Sequence, residues 1–490
     1  NAGGNAASAL ARLGIAGIVV EGTPPDDALR CLWIGADGAR LEDANQLKGF
    51  GNYDTVAKLQ EQADGAISCV SIGPAGEMKL CGASVAVTDE EMRPTRHAGR
   101  GGLGAVMGSK GLKAIVIDNQ PRSQPESVDA EAFKQAATKF TRLLREHPVT
   151  GETLPTYGTN VLANLINEAG GYPTRNFSTG QFEGTEAISG ETQRETIIAR
   201  GGKAKHACHR ACIIECSRIY HDKDGNYLTK GPEYETIWAH GANCGIDDLD
   251  AIAQMDRLDD DIGLDTIEMG AAIGVAMAGG LIPFGDAEGA IKLLEEVRAG
   301  SPLGRIIGSG AAVAGQAFGV ANVPVVKGQA LPAYDPRAIK GIGVTYATST
   351  MGADHTAGYA ICQNILAVGG EVDPLTPEGQ AELSKALQVA TAMIDSTGLC
   401  LFVAFAVLDE PEAFQCIVDM TNAHLGLQLD GDALTAVGAE VLRLERDFNK
   451  RAGFTPQHDR LPAFFSEEPL APHNAVFDVP DEELDAVHGG

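Results

Sequence analysis

Arg96-His97-Ala98-Gly99-Arg100-Gly101-Gly102-Leu103-Gly104-Ala105-Val106-Met107-Gly108-Ser109-Lys110-Gly111-Leu112-Lys113 is the run on which the reading of this chain turns. Its glycines let bare backbone N–H groups approach closely, and its Arg and Lys supply positive charge, so the loop suits an anionic group. A purely structural turn is the other reading. The run leads into an apolar strand, Leu112–Ile117. With the loop ahead of the strand, it is not a dinucleotide fingerprint, in which strand, loop and helix follow in that order.

Around this run the first 120 residues or so read as β-rich. Short apolar segments, Ile15–Val20, Ala66–Ile72 and Leu112–Ile117, alternate with Gly, Pro and Asp turns. After Asp118 helical periodicity takes over, at Ala130–His147, Asp248–Leu258, Ala287–Ala299, Glu378–Asp395 and Ala433–Lys450. In the last of these Val437, Val441, Leu444 and Phe448 recur at helical spacing, with Glu440, Arg443 and Arg446 facing away. The expected fold is α+β: a β-rich N-terminal domain over 1–120, then two mainly α-helical domains over 121–328 and 329–490. Ala330-Leu-Pro-Ala-Tyr-Asp-Pro336 interrupts the helices at the second boundary.

Composition narrows the function classes. The 490 residues suffice for a large core, and 44% hydrophobic with 21% charged residues is ordinary for a soluble globular protein. A formal charge of −28 argues against nucleic acid and anionic membrane as partners. The longest nearly apolar stretch, Ala271–Phe284, is too short to span a membrane. Together with the lack of a visible signal peptide, this makes a cytoplasmic protein the expectation. The opening on Asn1, in mid-domain texture, suggests that the natural N-terminus lies upstream.

Of the ten cysteines, three cluster in His206-Ala-Cys208-His-Arg-Ala-Cys212-Ile-Ile-Glu-Cys216. Clustered thiols in a large acidic chain point to a soft metal or an iron–sulfur centre. On a straight helix the outer two would stand roughly 12 Å apart along the axis, so binding one cluster requires the chain to coil around it. A helix with three buried cysteines is the alternative. Cys31, Cys69, Cys81, Cys244, Cys362 and Cys416 lie in apolar surroundings and read as core residues. A fourth thiol comes from an internal echo. Asp260-Asp-Ile-Gly263-Leu264-Asp265 and Asp395-Ser-Thr-Gly398-Leu399-Cys400 share Asp-x-x-Gly-Leu, each after a predicted helix. Each copy alone reads as a helix cap. The pair suggests two similar ligands, or two halves of one, held by carboxylates that accept from amino groups.

The glycine-rich run, the paired motifs, Asn449-Lys-Arg451-Ala-Gly453-Phe454 and Asp459-Arg-Leu-Pro462 together resemble the aldehyde:ferredoxin oxidoreductase family over essentially the whole chain. The resemblance implies a β-rich pterin-binding domain and a tungsten (or molybdenum) ion held by two pterins, with Mg between the pterin phosphates. It implies one 4Fe–4S cluster on Cys208, Cys212, Cys216 and Cys400. Pterin contacts carry over to Asn1, Gly3, Arg100, Gly101, Gly102, Asp260, Gly263, Leu264, Asp265, Asp395, Gly398, Leu399 and Leu401. The first cysteine gap is three residues here, where the family usually has two. Gln254 falls near the Glu needed for an interface iron, so none is expected.

Gly231-Pro-Glu233-Tyr234-Glu235 and Gly352-Ala-Asp354-His355 are similar to the family's active-site segments. They imply Glu235 as the proton-handling carboxylate, with Glu233 the alternative by register, and His355 as a carbonyl-polarising or proton-shuttling group. Tyr334 is a candidate donor to substrate. The implied reaction oxidises a small aldehyde to its acid and passes electrons to ferredoxin or a ferredoxin-like iron–sulfur protein. The alternatives are a related pterin reductase of another carbonyl or thioester working with an iron–sulfur partner subunit, and a non-catalytic electron-transfer subunit. A homodimer is also open. Arg200, Lys203, Lys205, Arg210, Arg218 and Lys223 near the triplet read as a basic island able to steer an acidic carrier.

Overall fold

The computed structural model describes residues 2–122 and 124–489. The N-terminal part is built on a six-stranded sheet of β1 (Arg30–Gly35), β2 (Gly38–Asp43), β3 (Ile67–Ser71), β4 (Val85–Val87), β5 (Arg96–Ala98) and β6 (Leu112–Asp118), in the order β2-β1-β6-β3-β4-β5. Only β1 and β6 pair in parallel. Side chains of β6 alternate between two covers, as the two-residue period of a strand requires. Ala114 and Val116 pack with Val56 and Leu59 of α2 (Asn52–Gln62), while Ile115 and Ile117 pack with Ala6 and Ala9 of α1 (Ala6–Arg12). Burying a side chain such as Leu59 is worth about 1.5–3 kcal/mol.

The glycine-rich run folds as α3 (Leu103–Ser109), entered through Gly101 and Gly102 at φ 84° and 68°. Gly104 and Gly108 serve contact rather than conformation. A Cβ at either would lie 2.3 Å from Ser84 O or 2.0 Å from Gly76 O, so α3 rests backbone on backbone.

A three-stranded antiparallel sheet follows, with β7 (Lys203–His206), β8 (Ser217–His221) and β9 (Tyr227–Lys230) in sequence order. The remainder is mainly helical: α4 (Ala130–Glu146), α5 (Tyr234–His240), α6 (Leu249–Ile262), α7 (Thr266–Ala278), α8 (Ala287–Ala299), α9 (Lys340–Thr348), α10 (Gln380–Ser396), α11 (Pro411–Leu425) and α12 (Gly431–Arg451). Helix α8 has its predicted bounds because its caps are local: Asp286 accepts from Gly289 N, and Gly300 ends it at φ 67°. Helix α7 is buried on all sides. Its Gly270 lets the backbone of α5 approach to where a Cβ would sit 2.4 Å from the Ala239 carbonyl carbon. Trp238, fully buried, donates to Pro173 O at 2.7 Å and packs edge-on against Phe177.

Several expectations are overturned. Ile15–Val20 is not a strand: it pairs with no neighbour, and Val19 is 85% exposed. The stripe Val437, Leu444 and Phe448 faces outward, Phe448 at 65% exposure, and α12 instead buries Leu434, Gly438 and Leu442. Gly438 sets that choice, because a Cβ there would lie 2.2 Å from Val389 O of α10, so this edge carries the close contact. Cys81 is exposed and not a core residue, unlike Cys31, Cys69, Cys244, Cys362 and Cys416. The helices break at 330–336 as expected, and that segment is wholly buried. Among the described residues no helix is long and apolar enough to cross a membrane.

Candidate active site

The cysteine triplet lies in an irregular loop between β7 and β8 and not on a helix, which removes the helical alternative. The loop is closed at its base by a bridge between His206 and Cys216. Two turns inside it put Ala211 and Glu215 at φ 65° and 51°, a left-handed geometry that costs a residue with a Cβ about 1–2 kcal/mol each. Such strain coils the chain as a bound cluster requires. Cys208, His209 and Cys212 present ligand atoms within 4.8 Å of one another. A hydrogen bond from Cys208 pulls the Cys212 thiol down to about 5. Burial pushes Cys216 up, and negative charge at Glu233, Cys400 and Cys212 adds to it. Cys216 and Cys400 lie outside that close group, though the charge of Cys400 acts on Cys216 despite their separation in sequence. Gly3 adjoins the group: a Cβ there would meet Cys208 Cβ at 3.3 Å, and Gly4 N donates to Cys208 O at 3.0 Å. Asn1 lies outside the described residues.

Strand β5 and the loop after it reach three ways. Arg96 donates to Ser217 Oγ at 2.8 Å; the Cys212 hydrogen bond and burial raise Cys208, burial raises Cys216, and the Arg96 charge opposes both rises. His97, on the opposite face of the strand, lies 3.1 Å from Asp260 Oδ1. Arg100 spends its guanidinium on protein: Nε on Asp265 Oδ2 (3.1 Å), Nη1 on Ala353 O (2.7 Å) and Nη2 on Ala330 O (2.6 Å). What this segment offers an anion is therefore the backbone of Gly101 and Gly102.

The two Asp-x-x-Gly-Leu copies differ in their surroundings. In the first, Gly263 caps α6 at φ 79°, Leu264 bridges Ala83, and Asp265 N donates to Gly82 O at 2.9 Å. Asp260 is buried. Burial raises its pKa, but Lys230 and His97 outweigh that and hold it at about 2. Its Oδ2 has no hydrogen-bond partner. In the second copy Asp395 and Cys400 are exposed, Gly398 has φ 78°, Leu399 is half-buried, and Leu401 opens a short 3-10 turn.

Glu235, in the first turn of α5, places Oε1 3.4 Å from His355 Nε2 while Oε2 accepts from Ala333 N at 3.0 Å. Burial raises the Glu235 pKa, opposed by His355, the Ala333 N–H and Arg100. On the other side of His355, Asp354 Oδ1 is 3.8 Å from Nδ1, and its Oδ2 accepts from Thr356 Oγ1 and Ala357 N. Tyr334 and Tyr359 share a hydrogen bond of 2.7 Å, and the Tyr334 ring centroid lies 6.0 Å from that of His355. Glu233, two residues before Glu235, turns the other way: it accepts from Thr159 Oγ1 at 2.8 Å, and its charge acts on Cys216 and Arg218. Glu235 Oε1, His355 Nδ1 and Asp260 Oδ2 are among the buried polar atoms without hydrogen-bond partners, so each is an acceptor or donor that a ligand or water could complete.

The basic island is partly paired. Arg200 and Lys223 pair with Asp250, Lys203 with Glu91 and Lys205 with Glu215, while Arg218 is buried. Sequence reasoning missed His97, Lys230 and Tyr359. His97 and Arg96 flank the glycine run on alternate faces of a strand, which is a readable signal, whereas nothing local marks Lys230 or Tyr359.

A β-rich base, two carboxylate-bearing cap motifs, a thiol-rich loop and a buried Glu–His pair define the class of metal–pterin oxidoreductases. The family model described as "Aldehyde ferredoxin oxidoreductase, N-terminal domain" matches residues 1–119, and "Aldehyde ferredoxin oxidoreductase, domains 2 & 3" matches 135–487. The chain belongs to the aldehyde ferredoxin oxidoreductase family. It is 36% identical to the tungsten-containing aldehyde ferredoxin oxidoreductase of Pyrococcus horikoshii, over 96% of this chain and 77% of that protein. It is 25% identical to an aliphatic sulfonate oxidoreductase, WOR-like subunit, of Pyrococcus furiosus, over 89% and 70%. The BamBC active-site complex of benzoyl coenzyme A reductase contains a chain of the same fold, with a TM-score of 0.77 and 17% identity over 99% of this chain and 79% of that one.

Proposed function

We propose that this chain oxidises small aldehydes to carboxylic acids at a tungsten (or molybdenum) bis-pterin centre, with electrons leaving through one 4Fe–4S cluster to ferredoxin or a similar iron–sulfur protein. The observation that carries the reading is the buried Glu235–His355 pair, with incompletely satisfied atoms, in a family member that also retains the cysteine and Asp-x-x-Gly-Leu motifs. When bound, the metal centre and the cluster supply a two-electron acceptor and a one-electron exit.

The chain's own groups do the rest. Glu235, its pKa raised by burial, accepts a proton at Oε1, while the Ala333 N–H steadies Oε2. His355 polarises the carbonyl or hands a proton to Glu235 across their short separation. Tyr334, oriented by Tyr359, donates to the substrate oxygen. Asp260, Asp265 and Asp395 accept from pterin amino groups, with Gly3, Gly101, Gly102, Gly263, Leu264, Gly398, Leu399 and Leu401 giving backbone and apolar contact. Cys208, Cys212, Cys216 and Cys400 would hold the cluster, and Mg would accompany the pterins. The division at 120 and 328 follows the same reading, as does a cytoplasmic location.

A second reading, work with an iron–sulfur partner subunit, is favoured by the likeness to a relative that is itself described as a subunit. Anaerobic incubation with aliphatic and aromatic aldehydes decides between them. Acid production coupled to ferredoxin or viologen reduction by this chain alone supports the first. Turnover that appears only with an added partner supports the second. No aldehyde-dependent reduction in either case refutes both.

A further inference from the structure

Asp256 and Asp260 stand one turn apart on α6 and share a single cation, the ammonium of Lys230 at the end of β9, at 2.8 and 2.7 Å. The two carboxylates are nevertheless finished differently. Asp256 is complete: Oδ1 takes Lys230, and Oδ2 takes the Thr229 hydroxyl at 2.6 Å. Asp260 is half complete. Lys230 and His97 both converge on Oδ1, and Oδ2, buried, has no hydrogen-bond partner.

The donors on Oδ1 are themselves fixed. His97 Nε2 lies 3.1 Å from Pro94 O, which only accepts, so this nitrogen carries a hydrogen and shares it with Asp260. Its Nδ1 meets the Ser84 hydroxyl at 2.8 Å. Asn52 Nδ2 holds the Asp260 carbonyl at 2.8 Å. A bare buried acceptor is costly, and of the two on this helix, Asp259 Oδ1 and Asp260 Oδ2, the second belongs to the Asp-x-x-Gly-Leu motif.

We propose that Lys230 is a positioning residue for the cofactor: shared between a structural and a ligand-facing aspartate, it turns Asp260 so that Oδ2 stays an open acceptor for the pterin. The inference rests on the pterin reading of this site. It also gives β9 a double task, because the strand runs directly from Lys230 through Gly231, Pro232 and Glu233 to the catalytic helix that begins at Tyr234.

The test compares Lys230→Met, Asp256→Asn and the double variant, each made as full chain in tungstate-supplemented cells. Tungsten and pterin per chain are quantified alongside iron, circular dichroism and melting temperature. In K230M, tungsten and pterin fall on the order of tenfold while iron is kept, because one charge-assisted hydrogen bond fails. In K230M/D256N, the melting temperature recovers, since no unpaired Asp256 charge is left buried, but the pterin does not return. D256N alone keeps its pterin. Full pterin in K230M overturns the proposal. So does recovery of pterin together with stability in the double variant, which would make Lys230 only the counter-charge of Asp256. Should K230M not fold, the double variant alone decides. A wild-type chain that binds iron but neither tungsten nor pterin would instead refute the functional reading beneath it.

Discussion

Glu235→Gln separates chemistry from architecture. The carboxylate does two jobs with two oxygens: Oε2 accepts the Ala333 N–H at 3.0 Å, and Oε1 stands 3.4 Å from His355 Nε2. A glutamine of the same shape keeps the first contact through its carbonyl oxygen and turns an amide NH2 toward His355. It cannot take a proton at that place. Loss of a positioned base typically removes 10² to 10⁴ in rate, about 3–5 kcal/mol of barrier. Folding should change little, because a buried carboxylate with a raised pKa is replaced by a neutral isostere. The assay is anaerobic, aldehyde-dependent viologen reduction, with tungsten and iron measured on the same sample. Turnover down at least a hundredfold with both metals retained is the expected result. Activity within threefold of the parent removes Glu235 from the mechanism. The pH profile carries the same argument with a definite sign. Glu235 works as a base only when ionised, and burial raises its pKa, so kcat/KM falls as pH drops through a value above the ordinary glutamate range. An acidic limb at or below that range contradicts the assignment.

Three further predictions concern the frame. Cys400→Ser replaces a soft thiolate by a hard hydroxyl, so iron and sulfide content should drop by more than half, read by colorimetric assay, with helicity unchanged. Gly108→Ala drives a Cβ to 2.0 Å from Gly76 O, and denaturant melts should report a loss of about 1–3 kcal/mol or more. His488, held down to about 4 mainly by burial, bonds Thr348 O and Gln388 Oε1. A depressed histidine favours the neutral form in the fold, so its contribution is present above about 6.5 and is lost as pH falls from there toward 4, at most about 3 kcal/mol. His488→Gln should flatten that part of the stability curve, measured by urea melts at stepped pH.

Much of this was legible where the determining contacts are local. The caps Asp286 and Gly300 bound α8 within the window that its periodicity spans. Gly263 ends α6 in the left-handed conformation that its motif suggested. The thiol loop was legible by exclusion, because a straight helix cannot bring Cys208 and Cys216 to one cluster. What escaped depends on distant partners. Ile15–Val20 has the residues of a strand, yet strand formation needs a neighbouring backbone, and none pairs with it. The apolar stripe of α12 points outward because Gly438, not the stripe, meets α10. Part of the basic island is paired by Glu91 and Asp250, which sequence proximity does not reveal. Nothing local marks Lys230; the fold sets two aspartates beside it.

The most direct test of the account is a crystal structure of the tungsten-loaded protein with anomalous maps at the iron and tungsten edges. The account predicts one iron–sulfur cluster with Cys208, Cys212, Cys216 and Cys400 at thiolate distances of about 2.3 Å, and tungsten beside the Glu235–His355 pair with a pterin nitrogen on Asp260 Oδ2. Iron bound without Cys400, or tungsten away from Glu235 and Asp260, would contradict it.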